Sequence, residues 1–147
     1  MISQVKVSSA WKTVAAKSVR VGGAWKAVAQ EWTKVGGVWK ESGYTAPAVE
    51  VDTSYVFGIK TGSGTCTSDA ATITASGGSG SFTYAWSRVS GDSSTSATSP
   101  TAAASTFHRT GSPTNNYSSV WRCRVTDTVS SLYTDSEDVT CELSFEP

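Results

Sequence analysis

At 147 residues the chain has room for one domain, or for a small module and a domain of about 100 residues. Its net charge of zero is unevenly divided: residues 1–44 carry seven Lys or Arg and two acids, residues 45–147 five and ten. That division disfavours a uniformly basic nucleic-acid binder and favours head-to-tail or heterotypic contacts. No apolar run approaches the roughly 18 residues of a bilayer span, so no membrane partner is expected. "MISQVKVSSA" lacks the apolar stretch of a signal peptide, so a route other than secretion is expected.

The first 44 residues repeat: "VKVSSAWKTV" (5–14), "VRVGGAWKAV" (19–28) and "TKVGGVWKES" (33–42) are near-copies. Valines at 7, 14, 21, 28 and 35 and tryptophans at 11, 25, 32 and 39 set a period of seven, with a stronger one of fourteen. A coiled coil shares that period. It conflicts with two Gly-Gly pairs, because each helix-interior Gly costs about 1 kcal/mol relative to Ala. Val and Trp suit a pleated surface instead. Seven then reads as five residues of strand and two of turn. The predicted strands are 3–7, 10–14, 17–21, 24–28, 31–35 and 38–42, with turns at 8–9, 15–16, 22–23, 29–30 and 36–37, a meander of hairpins. Gly22-Gly23 and Gly36-Gly37 can take the positive φ of tight hairpin turns. Ala15-Ala16 and Ala29-Gln30 are poor turns, and longer links are expected there.

This register assigns Val7, Ala10, Val21, Ala24, Val35 and Val38 to one face and Lys6, Trp11, Arg20, Trp25, Lys34 and Trp39 to the other. Cations alternate with indoles, each exposed contact contributing about 0.5–1 kcal/mol. Together with Trp32, these residues form the candidate binding set. The leading reading is a ladder that stiffens a thin sheet and packs against a partner chain or a like copy. A glycan surface with indoles stacked on sugar rings is a second reading. Single-stranded nucleic acid, which also suits interleaved aromatics and cations, is disfavoured by the zero net charge.

Residues 45–60 are either a linker or a first strand, and residues 61–147 a second domain. More than half of residues 61–119 are Gly, Ser or Thr, yet apolar alternation punctuates them. In "SFTYAWS", Phe82, Tyr84 and Trp86 share a face. In "VWRCRVTD", Trp121, Cys123 and Val125 oppose Arg122 and Arg124. In "DVTCELSFE", Val139, Cys141, Leu143 and Phe145 alternate with polar residues. "ATITA" (71–75) and "YVFGI" (55–59) are further strands. Short strands separated by "SGGSGS", "VSGDSS" and "RTGSPTNN" predict a two-layer antiparallel β-sandwich. The fold class is therefore all-β: a hairpin-repeat module followed by a sandwich.

"ITASGGSGSFTYAWSRVSGD" followed by "VWRCRVTDT" resembles the immunoglobulin-like (PKD- or fibronectin-like) domains carried by virion proteins of tailed bacteriophages. Repeats such as "VGGAWK" are similar to those of phage tail-fibre and minor tail proteins. Together the two resemblances cover most of the chain. They imply an Ig-like sandwich and a structural or adhesive virion component, assembled in the bacterial host cytoplasm, with other virion proteins or copies of itself as partners and a host-surface glycan as a further one. One departure matters. In antibody-type domains the core Trp packs on a disulfide from the preceding strand to a late one. Here Cys66 lies twenty residues before Trp86, on a strand expected to precede 71–75. A Cys66–Cys123 bridge is thereby in question, and Cys66–Cys141 is an equal alternative.

Without a secretory signal, buried reduced thiols are the expected state of Cys66, Cys123 and Cys141. Three cysteines without a C-x-x-C pair and a single histidine supply no closed metal site. His108, in "STFHRTGS", has no distinguishable catalytic partners. Gly78-Ser79-Gly80 lacks the Lys and helix of a phosphate loop. Asp135, Glu137 and Asp138 could gather calcium, but read more simply as a solvated turn. The expectation is a non-enzyme with no cofactor: a tail-tip, baseplate or fibre accessory, with a capsid decoration or head-fibre protein, or a carbohydrate-binding module, as alternatives.

Overall fold

The computed structural model describes the backbone of residues 4–7, 10–13, 18–21, 23–27, 31–35, 38–42 and 45–147, and side-chain surroundings for Gly23 and 45–147. The chain divides into two units, Met1–Thr45 and Ala46–Pro147. Among the described residues every regular element is a strand.

In the first unit the strands are β1 (Gln4–Val7), β2 (Ala10–Thr13), β3 (Ser18–Val21), β4 (Ala24–Ala27), β5 (Glu31–Val35) and β6 (Val38–Ser42). They pair antiparallel as β1 with β2, β3 with β4 and β5 with β6. Among the described residues these strands form three two-stranded ribbons, with no ladder joining β2 to β3 or β4 to β5. The missing joins fall where the sequence offers Ala-Ala and Ala-Gln, which supply no residue suited to a tight reversal. Gly23 takes φ +85°, the left-handed conformation expected of a Gly-Gly turn. The other expected turn residues, and strand ends 3, 14, 17 and 28, lie outside the described residues.

The second unit begins at Ala46 rather than 61, because residues 45–60 contribute two strands instead of a linker. Its elements are β7 (Ala48–Val51), β8 (Tyr55–Thr61), β9 (Gly64–Thr67), β10 (Ala71–Ser76), β11 (Phe82–Gly91), β12 (Ser96–Ala97), β13 (Ala104–Ser105), β14 (Phe107–Gly111), β15 (Asn116–Asp127), β16 (Tyr133–Asp135) and β17 (Val139–Glu146). The largest sheet has the order β11-β15-β17-β8, with β16 also on β15. Two three-stranded sheets run β13-β10-β7 and β12-β14-β9. The expected all-antiparallel pattern needs correction: β8 runs parallel to β17, with Phe57 beside Glu142 and Ile59 beside Ser144. A parallel pair needs a long connection, and here almost the whole unit lies between the two strands.

Alternation places the core. Trp121, Cys123 and Val125 of β15 are buried, as are Val139, Cys141, Leu143 and Phe145 of β17 and Trp86 of β11. Phe82 and Tyr84 pack partly buried against them. The centre is an aromatic stack: Phe107 lies 4.7 Å from Trp121 at 28° and meets Trp86 edge-on at 5.6 Å and 78°. The Trp86 indole N–H, which burial would otherwise strand, donates to the Ala102 carbonyl at 3.0 Å.

Two serines build the irregular joints. Ser68, between β9 and β10, donates its N–H to the Phe107 carbonyl (2.8 Å) while its hydroxyl accepts from the Phe107 N–H (3.0 Å) and donates to the Asp69 carbonyl (2.7 Å). Ser136, between β16 and β17, repeats the device: its N–H donates to Cys123 (2.8 Å), and its hydroxyl accepts from the Cys123 N–H (3.0 Å) and donates to Glu137 (2.8 Å). Each hydroxyl accepts a partner-strand N–H in place of a carbonyl, so the Phe107 and Cys123 N–H groups are satisfied.

Candidate functional site

Of the sequence-predicted binding residues, the backbone register sets Lys6 opposite Trp11, Arg20 opposite Trp25 and Lys34 opposite Trp39. Trp32 stands opposite Glu41. Three times, therefore, one cation faces one indole position across a ribbon. The side chains of all seven lie outside the described residues.

In the second unit, the outward face of the largest sheet carries two depressions. The first, of about 310 Å³, is lined by Phe57 of β8, by Ser118 and its neighbours on β15, and by Glu142, Leu143 and Ser144 of β17. Val56 and Gly58 point inward, which turns Tyr55, Phe57 and Ile59 outward as an apolar row. Tyr55 and Ile59 are 48% and 54% exposed, unusual for such side chains side by side on one strand. The Tyr55 hydroxyl donates to the Glu142 carboxylate at 2.8 Å. That bond and the carboxylate's charge hold the phenol above its ordinary pKa. Gly58 is required here, because a Cβ would lie 2.8 Å from the Thr67 carbonyl carbon.

The second depression, of about 370 Å³, is bordered by Ala85, Ser87 and Val89 of β11, by Arg122 and Arg124 of β15 and by Asp135. Its charges are mutually satisfied. Arg124 clasps Asp135 through two bonds of 2.7 and 2.9 Å and lies 4.1 Å above the Tyr133 ring. Arg122 binds Asp138 at 2.8 Å. The Arg124 bond draws the Asp135 carboxyl below its usual range. Asp135 and Asp138, weighed as calcium ligands, are thus engaged by guanidinium groups. Among the described residues no group of three or more His, Cys, Asp or Glu is placed to hold a metal.

Asp127 binds together one end of the unit. Its buried carboxylate accepts the N–H groups of Ser79, Val129 (3.0 Å) and Ser130 (2.7 Å), and the Ser130 hydroxyl (3.0 Å). Burial pushes its pKa up. The Ser130 and Ser79 donors outweigh that and leave it far below the usual carboxylate range. The Gly-Ser-Gly turn therefore wraps a carboxylate of its own chain, not a phosphate. Gly78, at φ +52°, has no room for a Cβ against Asp127.

Arg109 makes a third internal pair, with Asp92, and stacks 3.5 Å above the Tyr117 ring. Thr95 also donates to Asp92, at 2.7 Å. The His108 ring meets Thr98, Nδ1 to Oγ1 at 3.1 Å. Cys66, Cys123 and Cys141 are buried and unbridged. Burial raises Cys123 and Cys141 to about 11. Cys66 does lie on a strand before β10: it belongs to β9, in the β12-β14-β9 sheet.

The sequence reading missed the Tyr55–Phe57–Ile59 face and its carboxylate. The alternation in "YVFGI" was the available signal, but the neighbour of β8 was not legible in it. No protein-family model, curated protein or solved structure matches the chain.

Proposed function

We propose that the chain is a non-enzymatic structural and adhesive component of a tailed-phage particle, at the tail tip, baseplate or fibre. It docks through residues 1–44 and projects the second unit as an Ig-like sandwich with weak affinity for a host surface. The observation that supports this best is the threefold return of one cross-strand pair, cation opposite indole, in three successive ribbons. Repetition of a short ribbon multiplies one contact, which suits attachment to a repeating or neighbouring protein surface. Isolated two-stranded ribbons are marginal alone, and a partner surface would stabilise them. Support for the Ig-like reading comes from the strand parallel to the last one and from Trp86 opposite Cys123. Assembly in the bacterial cytoplasm agrees with three unbridged thiols.

The test is to purify particles and locate the chain by mass spectrometry and by labelling under the electron microscope. Label at the tail end supports the proposal. Particles that lack the chain, or that carry it on the shell, overturn the function or its placement respectively.

A further inference from the structure

We infer that the outward face of β8 and β17 is the seat for a hairpin from residues 4–42 of a second copy, so that the chain associates head to tail. The inference rests on the proposed docking role of the N-terminal ribbons and names their receptor.

The face has a definite chemistry. Tyr55, Phe57 and Ile59 form an apolar row, and the parallel register sets Glu142 beside Phe57 and Glu146 beside Thr61. The outward positions of β8, β17 and the first half of β15 include these two carboxylates and no Lys or Arg. Further along β15 on that side, Arg122 is already bound to Asp138. A partner must therefore offer apolar bulk and positive charge together. The 310 Å³ depression beside Phe57 suits one large side chain as an anchor.

Residues 1–44 offer that combination. They carry seven basic residues against two acids, and the acids predominate ten to five in the remainder. Each ribbon brings one cation opposite one indole position. An indole in the depression with its neighbouring cation against Glu142 would match both halves of the receptor surface. Because donor and receptor are different surfaces, the contact is heterologous, closing as a ring or growing as a file of copies. Its charge component should weaken as salt screens it, over about 8 Å at physiological ionic strength.

Two variants of the full chain test this. Glu142→Lys with Ile59→Ser spoils the receptor face at exposed positions and leaves the ribbons intact. Lys6→Glu with Arg20→Glu and Lys34→Glu spoils the ribbons and leaves the face intact. In sedimentation or light-scattering measurements the unaltered chain should exceed the monomer mass in a salt-sensitive manner. Each variant alone should associate at least tenfold more weakly. An equal mixture should form small complexes that stop short of long assemblies, because one variant supplies only ribbons and the other only the receptor face. A wild-type chain that is monomeric at every concentration, a receptor variant that associates normally, or a mixture that stays monomeric each overturns the inference. If the receptor variant still enters particles normally while the chain is monomeric, the self-docking inference fails and the virion role stands. If the unaltered chain is absent from particles, the virion role itself fails.

Discussion

Replacing Asp127 by alanine removes the acceptor on which two turns converge. Three amide N–H groups and one hydroxyl point at its carboxylate, and the side chain is fully buried. Hydrogen bonds to a charged group contribute about 1.5–3 kcal/mol each, and a donor left buried without a partner costs about 1–3 kcal/mol. These do not add fully, since the turns at 77–81 and 128–132 lie at the surface and can open to water. A net loss of about 3 kcal/mol is expected, which lowers Tm by roughly 12–24 °C for a unit of this size. Asp127→Asn keeps the shape but puts an amide donor among donors, and should fall between the two. The pH profile supplies a second readout. The folded carboxyl sits below its unfolded value of about 3.9, so its stabilisation is complete above that pH and is lost as pH falls toward the folded value. The Asn variant should lose less stability than the parent between about pH 4 and 2. Thermal unfolding followed by circular dichroism across that range measures both effects. A Tm for Asp127→Ala within 3 °C of the parent, or parallel acid profiles, would refute the assigned role.

Trp86→Ala should cost about 3–5 kcal/mol, because it removes a ring packed edge-on against Phe107 and orphans the Ala102 carbonyl; denaturant midpoints measure it. Ser136→Ala should cost about 1–3 kcal/mol by leaving the buried Cys123 N–H without an acceptor, and faster exchange of that amide should accompany the loss. Gly23→Val puts a β-branched residue at φ +85° and should destabilise its ribbon by about 1–2 kcal/mol, seen as faster amide exchange in β3 and β4. Cys123 and Cys141, buried and raised to about 11, should resist thiol reagents at pH 8 until denaturant opens the unit; rapid labelling of the native chain would contradict their burial.

The alternation of "SFTYAWS", "VWRCRVTD" and "DVTCELSFE" was enough to place Trp86, Trp121, Cys123, Val125, Val139, Cys141, Leu143 and Phe145 inside, because a strand with one wet face must alternate. The seven-residue period likewise set the ribbon registers, since a five-plus-two repeat admits few ways of folding back. What alternation does not encode is where a strand breaks. Ser68 and Ser136 sit in "TSD" and "DSE", indistinguishable from the many surface serines of this chain, and become buried acceptors only when a partner strand presents an unmatched N–H. Asp127 was similarly hidden. In "VTDTVSS" it reads as a turn residue, and its depressed pKa arises from Ser130 together with Ser79, 48 positions earlier.

The receptor face proposed for a second copy arises from the one strand pairing that the expected topology lacked. Had β8 stood in an antiparallel edge position beside another strand, Tyr55, Phe57 and Ile59 would be three apolar residues on an ordinary exposed strand. Parallel insertion beside β17 puts them next to Thr140, Glu142 and Ser144, and the bond from Tyr55 to Glu142 joins residues 87 positions apart. The carboxylate gains a donor, the phenol is fixed, and the apolar row acquires an acidic border. A surface so composed is poorly matched by water along the row and poorly matched by an apolar partner along the border. Glu142→Gln separates these terms: it keeps a hydrogen-bond acceptor for Tyr55 but removes the charge. If charge complementarity guides docking, that variant should lose the salt dependence of self-association while the apolar contribution persists; unchanged salt dependence would place the electrostatic partner elsewhere on the unit.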